Sequence, residues 1–111
     1  RCIMIKVIVR HNKDKQIKEI QVSGHADSAE YGKDLVCAGV SSAVVGIANT
    51  LVKYNFLDDN MGTIDLKEGN LQIKVFNSNN NVQVVLETFV TILETIRESY
   101  SKYIKITKME E

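Results

Sequence analysis

From Leu35 to Val52 the chain carries no charged side chain, and no other feature restricts its fold so tightly. A run of that length approaches the roughly 18 to 20 residues needed to span a bilayer. Yet Gly39, Ser41, Ser42, Gly46, Asn49 and Thr50 make a third of it small or polar. The segment is therefore expected to be a buried helix packed on more than one side, in a protein that does not sit in a membrane. Val40, Val44, Ile47, Ala48 and Leu51 recur at helical spacing, and the small residues let a neighbouring backbone approach. The spacing predicts a helix starting near Val36 or Cys37 and running to about Tyr54. Such a helix needs a partner layer to cover it.

The flanking segments supply that layer. Ile3, Ile5, Val7 and Val9 alternate on one face as in a strand. The polar tip from His11 to Lys15 turns the chain into a second strand. There Ile20 and Val22 are in phase and Ile17 is out of phase, which predicts a bulge. This hairpin ends at Ser23-Gly24-His25. Residues 26–35 show neither alternation nor a helical stripe and read as a loop of about ten residues, long enough to be a functional candidate. Ile64 and Leu66, then Leu71, Ile73 and Val75, form two short strands around a turn at 67–70. The Asn77–Asn81 run offers helix caps. The helix it opens is predicted to reach about Ser101, with Val85, Phe89, Ile92, Leu93, Ile96 and Tyr100 as its apolar stripe. Tyr103 to Lys108 adds a last strand. The order β-β-α-β-β-α-β predicts one α+β domain over 1–111, with two helices packed on an antiparallel or mixed sheet. Arg1 to Ile3 read as a leader as readily as native sequence, since Met4 offers a start.

Composition narrows the function classes. A chain of 111 residues with 44% apolar side chains, and 14 basic against 14 acidic residues, is not disordered. Its neutral balance argues against a phosphate-backbone binder, so no direct nucleic-acid contact is expected. Two cysteines cannot build a multi-bridge secreted scaffold. They read as free thiols in a reducing compartment, and the N-terminus lacks the apolar core of a secretory signal, which together point to the cytoplasm.

Two segments bring reactive groups toward a shared site: His25 at the end of the second strand and Cys37 at the expected helix start. A thiol at a helix N-terminus meets unpaired N–H groups and the positive end of the macrodipole, which favour the thiolate. A nearby imidazole favours it further and can protonate a leaving group. The N–H groups near Cys37 and Ala38 are candidates for binding an oxyanion, and Asp34 for orienting the imidazole or a substrate amine. Against this, a cysteine among Val, Ala and Gly is usually a small buried hydrophobe, and a histidine beside a glycine is usually a turn residue. Tyr31 and Gly32 read either as an anchor for the loop or as a gate over a substrate. Cys2, His11, His25 and Cys37 lack zinc-knuckle spacing, and Asp58-Asp59-Asn60 lacks the rest of a calcium loop, so neither metal nor cofactor is expected. A ribosome-associated or RNA-binding module without catalysis, and a thiol redox sensor, remain open on the residues alone.

Longer motifs go further. Gly24-His25-Ala26-Asp27, then Glu30-Tyr31-Gly32, then Asp34-Leu35-Val36-Cys37-Ala38-Gly39-Val40-Ser41 resemble the signature of the ribosomal-processing cysteine protease family, Prp. The resemblance runs over nearly the whole chain from Met4. It implies a homodimeric, cytoplasmic α+β protease that removes the N-terminal extension of large-subunit ribosomal protein L twenty-seven, cutting after an aromatic residue in a short apolar motif. By position it implies Cys37 as nucleophile, His25 as base and acid, and Asp34 as a further site aspartate. Gly24 and Ser41 match positions near that centre. Tyr31 and Ala38 are expected to meet the substrate.

Overall fold

The computed structural model describes residues 4–25 and 31–111, with 31–34 described by backbone alone. The expectation that Arg1 to Ile3 are a leader lies outside the described residues. The elements are β1 (Ile5–His11), β2 (Ile17–Ser23), α1 (Tyr31–Lys53), β3 (Gly62–Lys67), β4 (Asn70–Val75), α2 (Asn80–Tyr100) and β5 (Ile104–Glu110). The strands form one sheet in the order β3-β4-β2-β1-β5, antiparallel except for the parallel β1–β5 pair. The α+β order and the mixed sheet are as the sequence predicts.

Strand alternation builds the core. Ile5, Val7, Val9, Ile20, Val22, Leu71, Ile73, Val75 and Ile104 are buried under the helices. Burial of each such side chain stabilises the fold by about 1.5 to 3 kcal/mol. The opposite face carries Lys6, Arg10, Glu19, Gln21, Gln72 and Lys74, which suits an antiparallel sheet wetted on one side. There Glu19 accepts hydrogen bonds from Gln21 at 2.7 Å and Gln72 at 2.8 Å and pairs with Arg10 at 3.1 Å.

The predicted bulge is present: Arg10 pairs with Glu19 but His11 pairs with Ile17, leaving Lys18 as the extra residue. The side chain of Gln83 on α2 mends the ladder there. Its Oε1 accepts from the Ile17 N–H at 2.8 Å and its Nε2 donates to the Ile17 carbonyl at 3.0 Å. Asn79, within the predicted capping run, accepts from the Val82 N–H at 2.9 Å and opens α2.

Three expectations change. First, α1 begins at Tyr31, not at Val36 or Cys37, so the second half of the expected loop is the opening of the helix, a little more than one turn. Gly32 and the polar residues around it hid the helical periodicity. Second, the buried stripe of α2 is Val82, Leu86, Phe89, Val90 and Leu93, whereas Ile92 is exposed. The helix carries two overlapping apolar registers, and the sheet selects the one centred on Phe89. Third, α1 packs against the core and α2 but keeps a whole face open. Leu35, Ala38, Ser42, Val45, Gly46, Asn49 and Val52 are exposed, while Val36, Val40, Val44, Ile47 and Leu51 are buried. Leu35–Lys53 is long and apolar enough to cross a membrane by length and composition.

Candidate active site

The site forms where β2 ends against α1. Gly24, next after Ser23, has φ +86°, a conformation that side-chain-bearing residues rarely adopt. A Cβ there would stand 2.7 Å from the Met4 carbonyl oxygen. The resulting bend sends His25 inward, where the residue is only 5% exposed. Two backbone bonds hold the bend. The N–H groups of Gly24 and His25 both donate to the Gly69 carbonyl in the β3–β4 turn, at 2.9 and 3.3 Å.

Ser41, on α1, fixes the imidazole. Its hydroxyl donates to the His25 carbonyl at 2.9 Å, and its Oγ lies 3.0 Å from His25 Nδ1. A hydroxyl carries one proton. With that proton directed to the carbonyl, Oγ is left to accept from Nδ1–H, so the neutral ring carries its lone pair on Nε2. Nε2 is buried and has no hydrogen-bond partner among the described residues. Burial pushes the His25 pKa below the ordinary histidine value, because an imidazolium here loses its hydration; a backbone hydrogen bond opposes this in part. An orphaned, neutral ring nitrogen at a strand end is equipped to take a proton from a reacting group.

Cys37 comes to the same place. It is buried, and its Sγ lies 4.0 Å from the carbonyl oxygen of Gly24, the residue before His25. Here the sulfur is disulfide-bonded. The expectation of free thiols is thereby corrected for Cys37. Sequence separation gave no measure of the short Cα–Cα distance that a disulfide requires. The donor geometry expected around the cysteine also changes. Only the N–H groups at the opening turn of a helix lack internal partners, and α1 begins at Tyr31, six residues before Cys37. The N–H groups of Cys37 and Ala38 lie beyond that turn and are not free to bind an oxyanion.

The remaining expected residues divide in two. Ala38 is an exposed residue of α1. Asp34 and Tyr31 lie in the first helical turn, and their side chains are outside the described residues. Tyr31 and Gly32 thus belong to a helix and not to a hinged loop. Gly69, which clamps the His25 backbone, was missed by the sequence reading, as was Leu66 beside it. Neither has a local signal, because β4 reaches β2 only through a non-sequential pairing. Among the described residues no group of His, Cys, Asp and Glu is arranged to hold a metal ion.

Comparison with known proteins adds to this geometry. The family described as "Cysteine protease Prp" matches residues 4–105. A Staphylococcus aureus protein, "Ribosomal processing cysteine protease Prp", is 32% identical over 110 residues, covering 93% of this chain and 97% of the relative. Two solved structures of the S. aureus essential ribosomal processing protease Prp superpose on the fold. One, in complex with a substrate peptide, gives a TM-score of 0.82 at 30% identity, covering 95% of this chain and 99% of that one. The other, in complex with a covalently linked product peptide, gives 0.79 at 31% identity with the same coverage.

Proposed function

The chain belongs to the Prp cysteine protease family, and from that premise we propose that it removes the N-terminal extension of large-subunit ribosomal protein L twenty-seven. On this reading it cuts after an aromatic residue within a short apolar motif. Two observations support the residue assignment: Ser41 orients an imidazole whose buried Nε2 has no hydrogen-bond partner among the described residues, and the Cys37 Sγ lies 4.0 Å from the carbonyl oxygen of Gly24, the residue before His25.

The chemistry follows from those groups. A thiol reductant first opens the disulfide by thiol–disulfide exchange, itself ending as the oxidised disulfide, and frees the sulfur, since a thiolate and not a disulfide is the nucleophile. Nε2 of His25 takes the thiol proton and Cys37 attacks the scissile carbonyl. The C–N bond breaks as His25 returns that proton to the departing amine, leaving a thioester on Cys37. Water, deprotonated by His25, then releases the acyl fragment and restores the thiol. Ser41 is a positioning residue in this scheme, and Gly24 gives the bend that admits the ring. Asp34 is the further site aspartate; Tyr31 and Ala38 meet the substrate. The peptide held covalently by the S. aureus relative supports an acyl-transfer route.

We further read the protein as a cytoplasmic homodimer acting as one domain over 1–111, without metal, cofactor or direct nucleic-acid contact. The uncharged outer face of α1 supports the dimer, because such a face meets its two-fold copy without like-charge repulsion. The test is a reduced sample mixed with a peptide spanning an extended ribosomal-protein N-terminus, with products read by mass spectrometry. Cleavage after the aromatic residue is expected, with Cys37→Ala and His25→Ala inactive and Ser41→Ala slowed by roughly 100-fold. An intact peptide, or cleavage that survives Cys37→Ala, overturns the reading.

A further inference from the structure

The peptide unit between Gly24 and His25 is engaged at both edges. Its N–H, on His25, donates to the Gly69 carbonyl at 3.3 Å, and its C=O, on Gly24, lies 4.0 Å from Cys37 Sγ. A trans peptide is planar, with the N–H and C=O on opposite edges, so rotating one edge rotates the other. The Gly24 N–H donates to the same Gly69 oxygen at 2.9 Å, a double load that a carbonyl with two lone pairs accepts. Glycine is the most freely rotating residue, so the setting of this plane depends on its hydrogen bonds. Gly69 is itself held firmly. Asn70, the next residue, pairs with Lys67 on β3 and with Ser23 on β2, so two ladders fix the base of the turn. Gly69 has φ +77°, a region that asparagine enters far more readily than other side-chain-bearing residues and that β-branched residues avoid. A residue forced out of that region rotates the turn and carries the carbonyl away from both N–H groups.

We propose that Gly69 is a positioning residue for the protease reaction: through its carbonyl, the β3–β4 turn sets the plane of the Gly24–His25 peptide and with it the approach of the His25 ring to Cys37. The proposal rests on the cysteine-protease reading above. It adds an anchor on the sheet side to the one that Ser41 supplies from α1. Ser41 holds His25 by its carbonyl and by Nδ1, whereas Gly69 holds it by its N–H. With both anchors in place, the backbone on either side of the imidazole is fixed, and the ring keeps one orientation toward the sulfur.

The test compares the reduced wild type with Gly69→Asn, which tolerates the positive φ, Gly69→Ala, which is strained by it, and Gly69→Val, which is excluded from it. Two quantities are read: kcat and KM for the extended ribosomal-protein peptide, and the nitrogen NMR signals of the His25 ring. Denaturation midpoints establish folding, and should Gly69→Val not fold, Gly69→Ala carries the comparison. The wild-type ring is expected as one tautomer with its proton on Nδ1. Gly69→Ala and Gly69→Val are expected to lower kcat by roughly 10- to 100-fold with KM within about 2-fold, because a misplaced reacting group weakens the transition state and not substrate binding. Their ring signals move toward a mixture of tautomers, while Gly69→Asn stays close to the wild type in both readouts. Folded Ala and Val variants that keep the wild-type kcat and ring signals overturn the proposal. So does a loss in Gly69→Asn equal to that in Gly69→Ala, which would place the effect in the added side chain. If wild type cleaves nothing, the failure belongs to the protease reading, and the ring signals alone decide whether Gly69 positions His25.

Discussion

His25 shows how a single side chain of the candidate site can tie pH to stability. Its ring is buried and neutral, with a pKa below the ordinary 6.5. The unfolded chain therefore binds a proton that the folded chain refuses, in the window between the ordinary value and the depressed one. Stability is fully present above about pH 6.5 and falls as pH drops through that window. Glu19 behaves differently. Hydrogen bonds from Gln21, then from Gln72, with help from Arg10, hold its carboxyl below the usual 4.5, so its contribution fades only at still lower pH. We expect the urea midpoint to decline as pH falls below about 6.5, and His25→Gln to remove that decline while keeping the one below pH 4.5. An unchanged slope in the variant would mean that the ring is not the titrating group. The residue types at the site were legible in the sequence, since Gly24, His25, Cys37 and Ser41 stand in recognisable spacing. Their partners were not. That Ser41 reaches His25 Nδ1, or that Cys37 is in a disulfide, depends on distances that spacing does not encode.

At the scale of elements, Gln83 is the least expected contributor. A strand bulge leaves ladder groups unpaired, and a primary amide presents one donor and one acceptor in the arrangement of a missing strand. Gln83→Leu keeps the helix and much of the volume but leaves the N–H and carbonyl of buried Ile17 without partners. A loss of about 2 to 4 kcal/mol in unfolding free energy is expected from denaturant titration. A loss below about 0.5 kcal/mol would mean that water serves Ile17 equally well. The bulge itself was readable from the phase of Ile17 against Ile20. The amide that completes it was not, because Gln83 looked like an ordinary polar residue near a helix start. The strands, with their strict alternation, came through from sequence better than the helices. α1 was cut short at its N-terminus by Gly32, and the face of α2 was misread because Ile92 and Ile96 compete with Leu86 and Val90 for the core.

For the whole molecule, the element order was legible, whereas the strand order β3-β4-β2-β1-β5 was not. Hairpins are local, but the β2–β4 and β1–β5 pairings join distant segments by shape complementarity that no short motif records. The two helices share one side of the sheet, and in the proposed dimer the outward face of α1 meets a second copy. Asn49 lies on that exposed face. Asn49→Arg places two like charges across a two-fold interface and is expected to give a monomer in sedimentation equilibrium with an unchanged fold by circular dichroism. A dimer that persists would put the interface elsewhere. The parallel pairing of the first strand with the last has a consequence during synthesis. Until Ile104–Glu110 emerges, β1 is an uncovered border strand with the alternating Ile5, Val7 and Val9 beside it. Such a border recruits other chains. A chain truncated before Ile104 would keep that border open and be prone to self-association, so docking of β5 is itself the safeguard.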